Sequence, residues 1–404
     1  MKRSVLLALA ALLLPAAAQA ETTWSGGTSW RYLIRNNDDG LSTKNAAGKD
    51  SSKSTVKTHQ IRADLNAFSK GEDFDWGVGF RTFGSANSEW LTLQNNGDRA
   101  ITLENAFLRA HYAYWGIDLD VTLGRAKTVM FYDSIGQALF DKDNRWDGLG
   151  WSWTKGAFGL NASQYVLGAR SSSTALASSS FTRTDATESA SATPSGFGML
   201  YSIQPHVKFK VSDEIEAIVA VGYHHWAGVG GTTAYENAIH GGTVGTVGNT
   251  NPVILDNPRQ WQLMTEWTLP MKLRFVGEYI QNKKVFYGTR LVSTDKKAQN
   301  GALSLALAYG KVKKANDFSL SYAYVRKGIA SSVNTFSNSN MAADNLGHLI
   351  EGKYAVADGL TLTTKVELYR EKAKLGGDGL ALTAPNQNRR QTQNRYEFVA
   401  GASF

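Results

Sequence analysis

Residues 260–279 read QWQLMTEWTLPMKLRFVGEY, and the spacing of their apolar side chains decides the fold class. Trp261, Leu263, Trp267 and Leu269 alternate with Gln260, Gln262, Glu266 and Thr268. Beyond a tight link at 269–271, Leu273, Phe275 and Tyr279 alternate with Arg274 and Glu278. A period of two belongs to a β-strand, whose successive side chains point to opposite faces; a helix would repeat near 3.6. Two such runs across a short link make an antiparallel hairpin with one apolar and one polar face.

The same alternation runs through the chain. Ala106, Leu108, Ala110 and Tyr112 oppose Asn105, Phe107, Arg109 and His111. Leu303, Leu305, Leu307 and Tyr309 oppose Ala302, Ser304, Ala306 and Ala308, and Leu360, Leu362, Val366 and Leu368 oppose Lys365 and Glu367. Sixteen runs of this kind can be counted between Trp24 and Phe404. Seven links between them are short, as at 70–75, 115–117 and 212–215. Eight are long and polar, at about 36–54, 84–100, 127–147, 168–195, 226–258, 281–299, 327–345 and 371–394. This layout predicts an all-β fold, a transmembrane up-and-down antiparallel barrel with short periplasmic turns and long extracellular loops. Closure leaves no strand edge for lipid to meet unsatisfied. A soluble sandwich would use strands of about five or six residues and would not sort its loops into two lengths.

Composition agrees. The 404 residues include 17 Phe, 16 Tyr and 11 Trp, with only 7 Pro. Trp24, Trp76, Tyr112, Tyr114, Tyr309, Tyr354 and Phe404 lie near strand ends, where interfacial girdles form. There is no cysteine, hence no disulfide and no cysteine-linked lipid anchor. Lys2 and Arg3, the apolar run from Val5 to Leu14 and the Ala18-Gln19-Ala20 site predict a cleaved signal peptide at 1–20. Its removal takes Lys2 and Arg3 and lowers the formal charge from +8 to +6. After it, no apolar stretch is long enough for a membrane helix, and no composition break divides residues 21–404, which read as one barrel.

The last strand, Tyr396-Glu397-Phe398-Val399-Ala400-Gly401-Ala402-Ser403-Phe404, resembles the C-terminal signature of outer-membrane barrels. Leu123-Gly124-Arg125, ahead of a loop with Phe131, Phe140 and several aspartates, is also porin-like. As a whole, residues 21–404 resemble the sixteen-stranded porins of Gram-negative bacteria. The resemblance implies an outer-membrane location, with lipid and lipopolysaccharide around the barrel. It further implies a homotrimer, a barrel-assembly machinery that reads Phe404, and a third long loop, 126–147, folded inward.

A barrel of sixteen strands encloses water rather than a packed core. Arg31, Arg62, Arg81 and Arg109 are inward positions of four successive strands, each near mid-strand, and predict a basic wall. The third loop carries Asp133, Asp141, Asp143 and Asp147 with Lys142 and Arg145, and is expected to face that wall across a constriction. Unlike charges set opposite each other there would orient dipolar solutes and exclude apolar ones. The inward cations are Arg31, Arg35, Arg62, Arg81, Arg109, Lys208, Lys210, Arg274, Lys353, Lys365 and Arg395. They slightly outnumber Asp64, Asp118, Asp120, Glu266, Glu278, Glu351, Glu367 and Glu397, which predicts a weak anion preference. Passive diffusion of ions and small hydrophilic solutes is the function expected. The alternative, a channel specific for one small, even anionic, solute, would show saturable conductance. No H-E-x-x-H or G-x-S-x-G motif occurs, and His224 and His225, adjacent on a strand, point to opposite faces. No enzyme, metal or cofactor is expected, and no basic cluster with interleaved aromatics suggests nucleic acid.

Overall fold

In the computed structural model the described residues are 22–38, 53–84, 90–92, 99–169, 197–227, 258–283, 300–328, 331, 345–371 and 392–404. The leader assigned to 1–20 lies outside them. The first strands are β1 (Thr22–Asp38), β2 (Lys53–Lys70), β3 (Phe74–Gly84), the two-residue β4 (Leu91–Thr92), β5 (Arg99–Tyr114) and β6 (Ile117–Ala126). Next come β7 (Trp146–Lys155), β8 (Phe158–Ala169), β9 (Phe197–Ser212), β10 (Ile215–Ala227), β11 (Arg259–Leu269) and β12 (Leu273–Asn282). The last are β13 (Gly301–Gly310), β14 (Phe318–Lys327), β15 (Asn345–Ala357), β16 (Leu360–Glu371) and β17 (Thr392–Ser403).

Apart from β4, these are the sixteen strands expected from the alternation, each antiparallel to its neighbours. The sheet closes where β1 pairs with β17, from Gly27–Ser403 to Asp38–Thr392, while its other edge pairs with β2. Closure satisfies every edge internally, which a barrel in hydrocarbon requires.

Which face is which follows from burial. Leu263, Leu307 and Leu320 are 51%, 46% and 53% exposed on the outside, whereas Gln262 and Ser304 on the inside are 2% and 0% exposed. Apolar side chains outside and polar ones within invert the usual soluble arrangement and fit a barrel surrounded by lipid. The tight turns use left-handed backbone: Trp115 and Gly116 have φ of 52° and 70°, and Met271 and Lys272 have 59° and 62°. Two successive positive φ values give the turn twist that matches a hairpin of right-twisted strands.

One register shift changes which side chains enter the lumen. Between β3 and β5 the pairing slips at Gly79/Phe80, so that Gly79 faces Asn105 and Phe80 faces Leu103. The extra residue is Glu104, and this bulge turns its carboxylate inward. The sequence carries the trace, because the apolar parity is odd at Ile101 and Leu103 but even at Ala106 and Leu108.

Candidate functional site: the loop-lined lumen

The link between β6 and β7 leaves the wall at a pair of glycines. Gly124 and Gly148 face each other in register. Gly124 has φ of 111°, and a Cβ there would fall 2.2 Å from the Ala106 carbonyl oxygen. Only glycine fits such a close approach at positive φ. One rung on, Arg125 and Asp147 pair at 2.7 Å on the side of the ladder that carries Leu123. No register shift interrupts either ladder at Arg125, and Asp147 belongs to β7 rather than to the loop's interior.

Residues 127–145 then cross to the far wall. The Phe131 peptide is gripped by two buried amides: Gln204 Oε1 accepts from its N–H at 2.7 Å, and Gln204 Nε2 donates to its carbonyl at 2.8 Å. Gln262 Nε2 donates to the same carbonyl at 3.0 Å and to Glu278 Oε1 at 2.6 Å. Asp133, fully buried, accepts from the Ser304 hydroxyl and, at 2.9 Å, from the Ile135 amide. Burial pushes the Asp133 carboxyl up from its ordinary range, against the pull of those donors.

Apolar contact does the rest. Met130, Ala138, Leu139 and Phe140 form one cluster with Met264, Val276, Ile280, Ala302, Ala306, Ala323 and Val325 of the wall. Phe140 is 1% exposed and meets Trp146 and His224 edge-on at 5.2 and 5.4 Å. Burying a ring of this size contributes on the order of 1.5–3 kcal/mol. The small inward residues Ala302, Ala306 and Ala323 leave the room that the loop occupies.

The opposite wall is charged. Arg31, Arg62, Arg81 and Arg109 lie nine, eight, seven and five residues from the short-turn ends of their strands, at Thr22, Lys70, Phe74 and Tyr114. Arg31 and Arg62 lie over the ring of Trp90, at 4.1 and 4.9 Å. Arg31 Nε also donates to Gln60 at 2.8 Å, and its guanidinium is 3.4 Å from Glu397. Arg81 pairs with Glu104 at 2.6 Å, while Arg109 reaches Asp75 at 3.8 Å and Thr122 at 3.1 Å. The loop meets this wall through Arg145, whose guanidinium pairs with Glu104 and donates to Asn105 at 2.9 Å. One carboxylate thus bridges Arg81 and the loop. Lys142 reaches Glu351 at 3.9 Å, and Asp141 accepts from the Asp143 amide at 2.9 Å.

Sequence reasoning missed four participants. Glu104 was hidden by the bulge, and Trp90 by its place in a long link. Asp75 is 3% exposed and was passed over at the start of its strand. The amide of Gln204 stood at an inward position without a charge to mark it. Among the described residues, no cluster of His, Asp and Glu is arranged to hold a metal ion.

Burial, and then the neighbouring Asp143, push the Asp141 carboxyl up to about 6; the Asp143 amide, Lys142 and Lys365 pull the other way. The docked loop therefore favours the protonated form: its stability is greatest below the carboxyl's ordinary value of 3.8, falls as pH rises toward about 6, and is level above that. Lowering the pH from 7.5 to 5 removes one negative charge at this point. The reversal potential in a salt gradient is expected to move toward anions, and Asp141→Asn to abolish that part of the shift. An undiminished shift in the variant would assign the titration to other groups.

Among solved structures, the chain is similar to OprB of Pseudomonas putida in its high-pH form, at 10% identity over 94% of each chain and a TM-score of 0.51. It also aligns with an engineered variant of the Rhodopseudomonas blastica porin, at 11% identity over 95% of this chain and 100% of that one, with a TM-score of 0.43. No protein-family model and no curated protein matches. The likeness to the Pseudomonas protein is one of barrel architecture; the second alignment carries no argument.

Proposed function

We propose that this barrel is an outer-membrane channel for passive diffusion of ions and small hydrophilic solutes, with a weak anion preference. One observation carries the reading: a loop anchored by its apolar side to one half of the wall, opposite a half lined with arginines. The loop, on this reading, narrows the lumen and leaves charge facing the passage. On this reading residues 1–20 are the export leader, lipopolysaccharide and lipid surround the barrel, and three copies assemble as the porin resemblance implies. The constriction would be set by Arg31, Arg62, Arg81 and Arg109 on one side and by Asp141, Asp143, Lys142 and Arg145 on the other, with Asp147 at its hinge; Asp133, expected to face the arginines, is instead buried against the far wall as an anchor of the loop.

Planar-bilayer recordings in a salt gradient test it. An ion in the passage comes within about a Debye length of these groups, so removing two charges should alter the anion-to-cation permeability ratio by roughly twofold. Arg62→Gln with Arg81→Gln should shift the reversal potential toward cations, and Asp141→Asn with Asp143→Asn toward anions. Unchanged potentials in both double variants would move the selectivity element elsewhere.

A second reading, a channel specific for one small anionic solute, draws on the flat Trp90 ring beneath Arg31 and Arg62. It predicts saturable conductance and block by that solute at low concentration, both weakened by Trp90→Ala.

A further inference from the structure

The outer surface of the barrel carries a groove across β9, β10 and β11 that the channel reading does not use. Its volume is about 630 Å³, and its floor and walls are Ile203, Pro205, Val221, Tyr223 and Trp261. We propose that this groove holds one acyl chain of a phosphate-bearing membrane lipid, whose headgroup is gripped by Arg259 and Lys283. The proposal rests on the membrane location argued above.

Three outward rungs of the sheet carry the inference. In the first, Arg259 is in register with His225, and the Lys283 amide donates to the Arg259 carbonyl at 2.7 Å, which sets the two cations side by side. Both follow or precede a long link, so they stand at the end of the barrel assigned to the extracellular side. Neither has a carboxylate partner among the described residues. In the second rung Ile203, Tyr223 and Trp261 align, and the rings of Tyr223 and Trp261 lie 5.1 Å apart. In the third, Val221 pairs with Leu263.

Beside Val221 the β9–β10 ladder passes from Ala220–His206 to Tyr223–Ile203 and leaves out Pro205. Proline has no N–H to donate, and its small ring sits one rung below Tyr223 and Trp261, beside Val221. The result is a trough about 13 Å long from Arg259 down to the rung of Val221 and Pro205, at the rise of an extended strand. Cations over aromatics over small apolar residues match a phosphate, an interfacial glycerol and a hydrocarbon chain in the same order. A wholly apolar occupant would leave the two cations without a counter-charge, and a free phosphate would leave the trough empty.

The experiment uses the purified full-length barrel in neutral detergent, titrated in native mass spectrometry with dimyristoyl phosphatidylglycerol, dimyristoyl phosphatidylcholine or inorganic phosphate. One phosphatidylglycerol should be retained roughly tenfold more tightly than phosphatidylcholine, as two cations near one headgroup imply. Arg259→Gln with Lys283→Gln should erase that preference, and Val221→Trp, which fills the trough, should weaken both lipids. Inorganic phosphate should not bind. Equal retention of both lipids by the parent, or an unchanged preference in the double variant, overturns the proposal. Phosphate competing at the same affinity would make this a free-anion site, and a Val221→Trp variant that changes oligomeric state while keeping its lipid would make it an interface between copies; either overturns it too. Conductance of the same preparation reports separately on the pore: lipid retained without conductance sinks the channel reading and leaves the groove standing.

Discussion

Replacing residues 127–145 with Asn-Gly should raise single-channel conductance several-fold while leaving a closed barrel. Ala126 and Trp146 face each other in register, so a two-residue turn can join β6 to β7 without moving either strand. What is removed is the segment that crosses the lumen and is held there by Gln204, Gln262 and Ser304. A lumen of sixteen strands without it is an open aqueous channel. The variant should also melt at lower temperature. Val276, Ile280 and Val325, now covered by Leu139 and Phe140, would face water, at a cost of about 25 cal/mol for each Å² of apolar surface uncovered. Conductance equal to the parent's, in a barrel shown to be folded by heat-modifiable mobility, would mean that the loop does not set the narrow section.

Deleting Phe404 should lower outer-membrane levels by roughly tenfold, because a spanning barrel tolerates no open edge. The Phe404 amide donates to the Gly26 carbonyl at 3.1 Å, and the Gly26 amide donates to the Phe404 carbonyl at 3.3 Å. These two bonds complete the last rung of the β1–β17 seam. The ring lies over Gly26, where a Cβ would come within 2.9 Å of it. The resemblance noted above implies a second role for this residue, as a recognition signal for assembly. Refolding in detergent separates them: a truncated chain that refolds alone but fails to accumulate in cells has lost recognition, whereas one that fails in both has lost the seam. Normal accumulation in cells would refute both roles.

How much was legible in the sequence varies by level. Faces and strand count followed from parity, since a residue's side of the wall depends only on whether its position is odd or even. Parity failed at Glu104, where one extra residue in β5 reverses the phase between Leu103 and Ala106. Trp90 was illegible for another reason: a long link carries no period, and its contact with Arg31 and Arg62 is made across the sheet. The loop's partners were equally hidden, because Phe131 meets Gln204 and Gln262, which lie 73 and 131 residues away.

The sequence by itself determined the closed antiparallel barrel, its strand count, its apolar outside and the inward arginines, because each depends on local alternation that the backbone converts directly into direction. Only the tertiary structure decided which half of the lumen the loop covers. There the small residues Ala302, Ala306 and Ala323 left a hollow, and the amides of Gln204 and Gln262 stood ready to satisfy a backbone that water would otherwise solvate. That choice is a matter of fit between segments far apart in the chain, and neither segment specifies it alone.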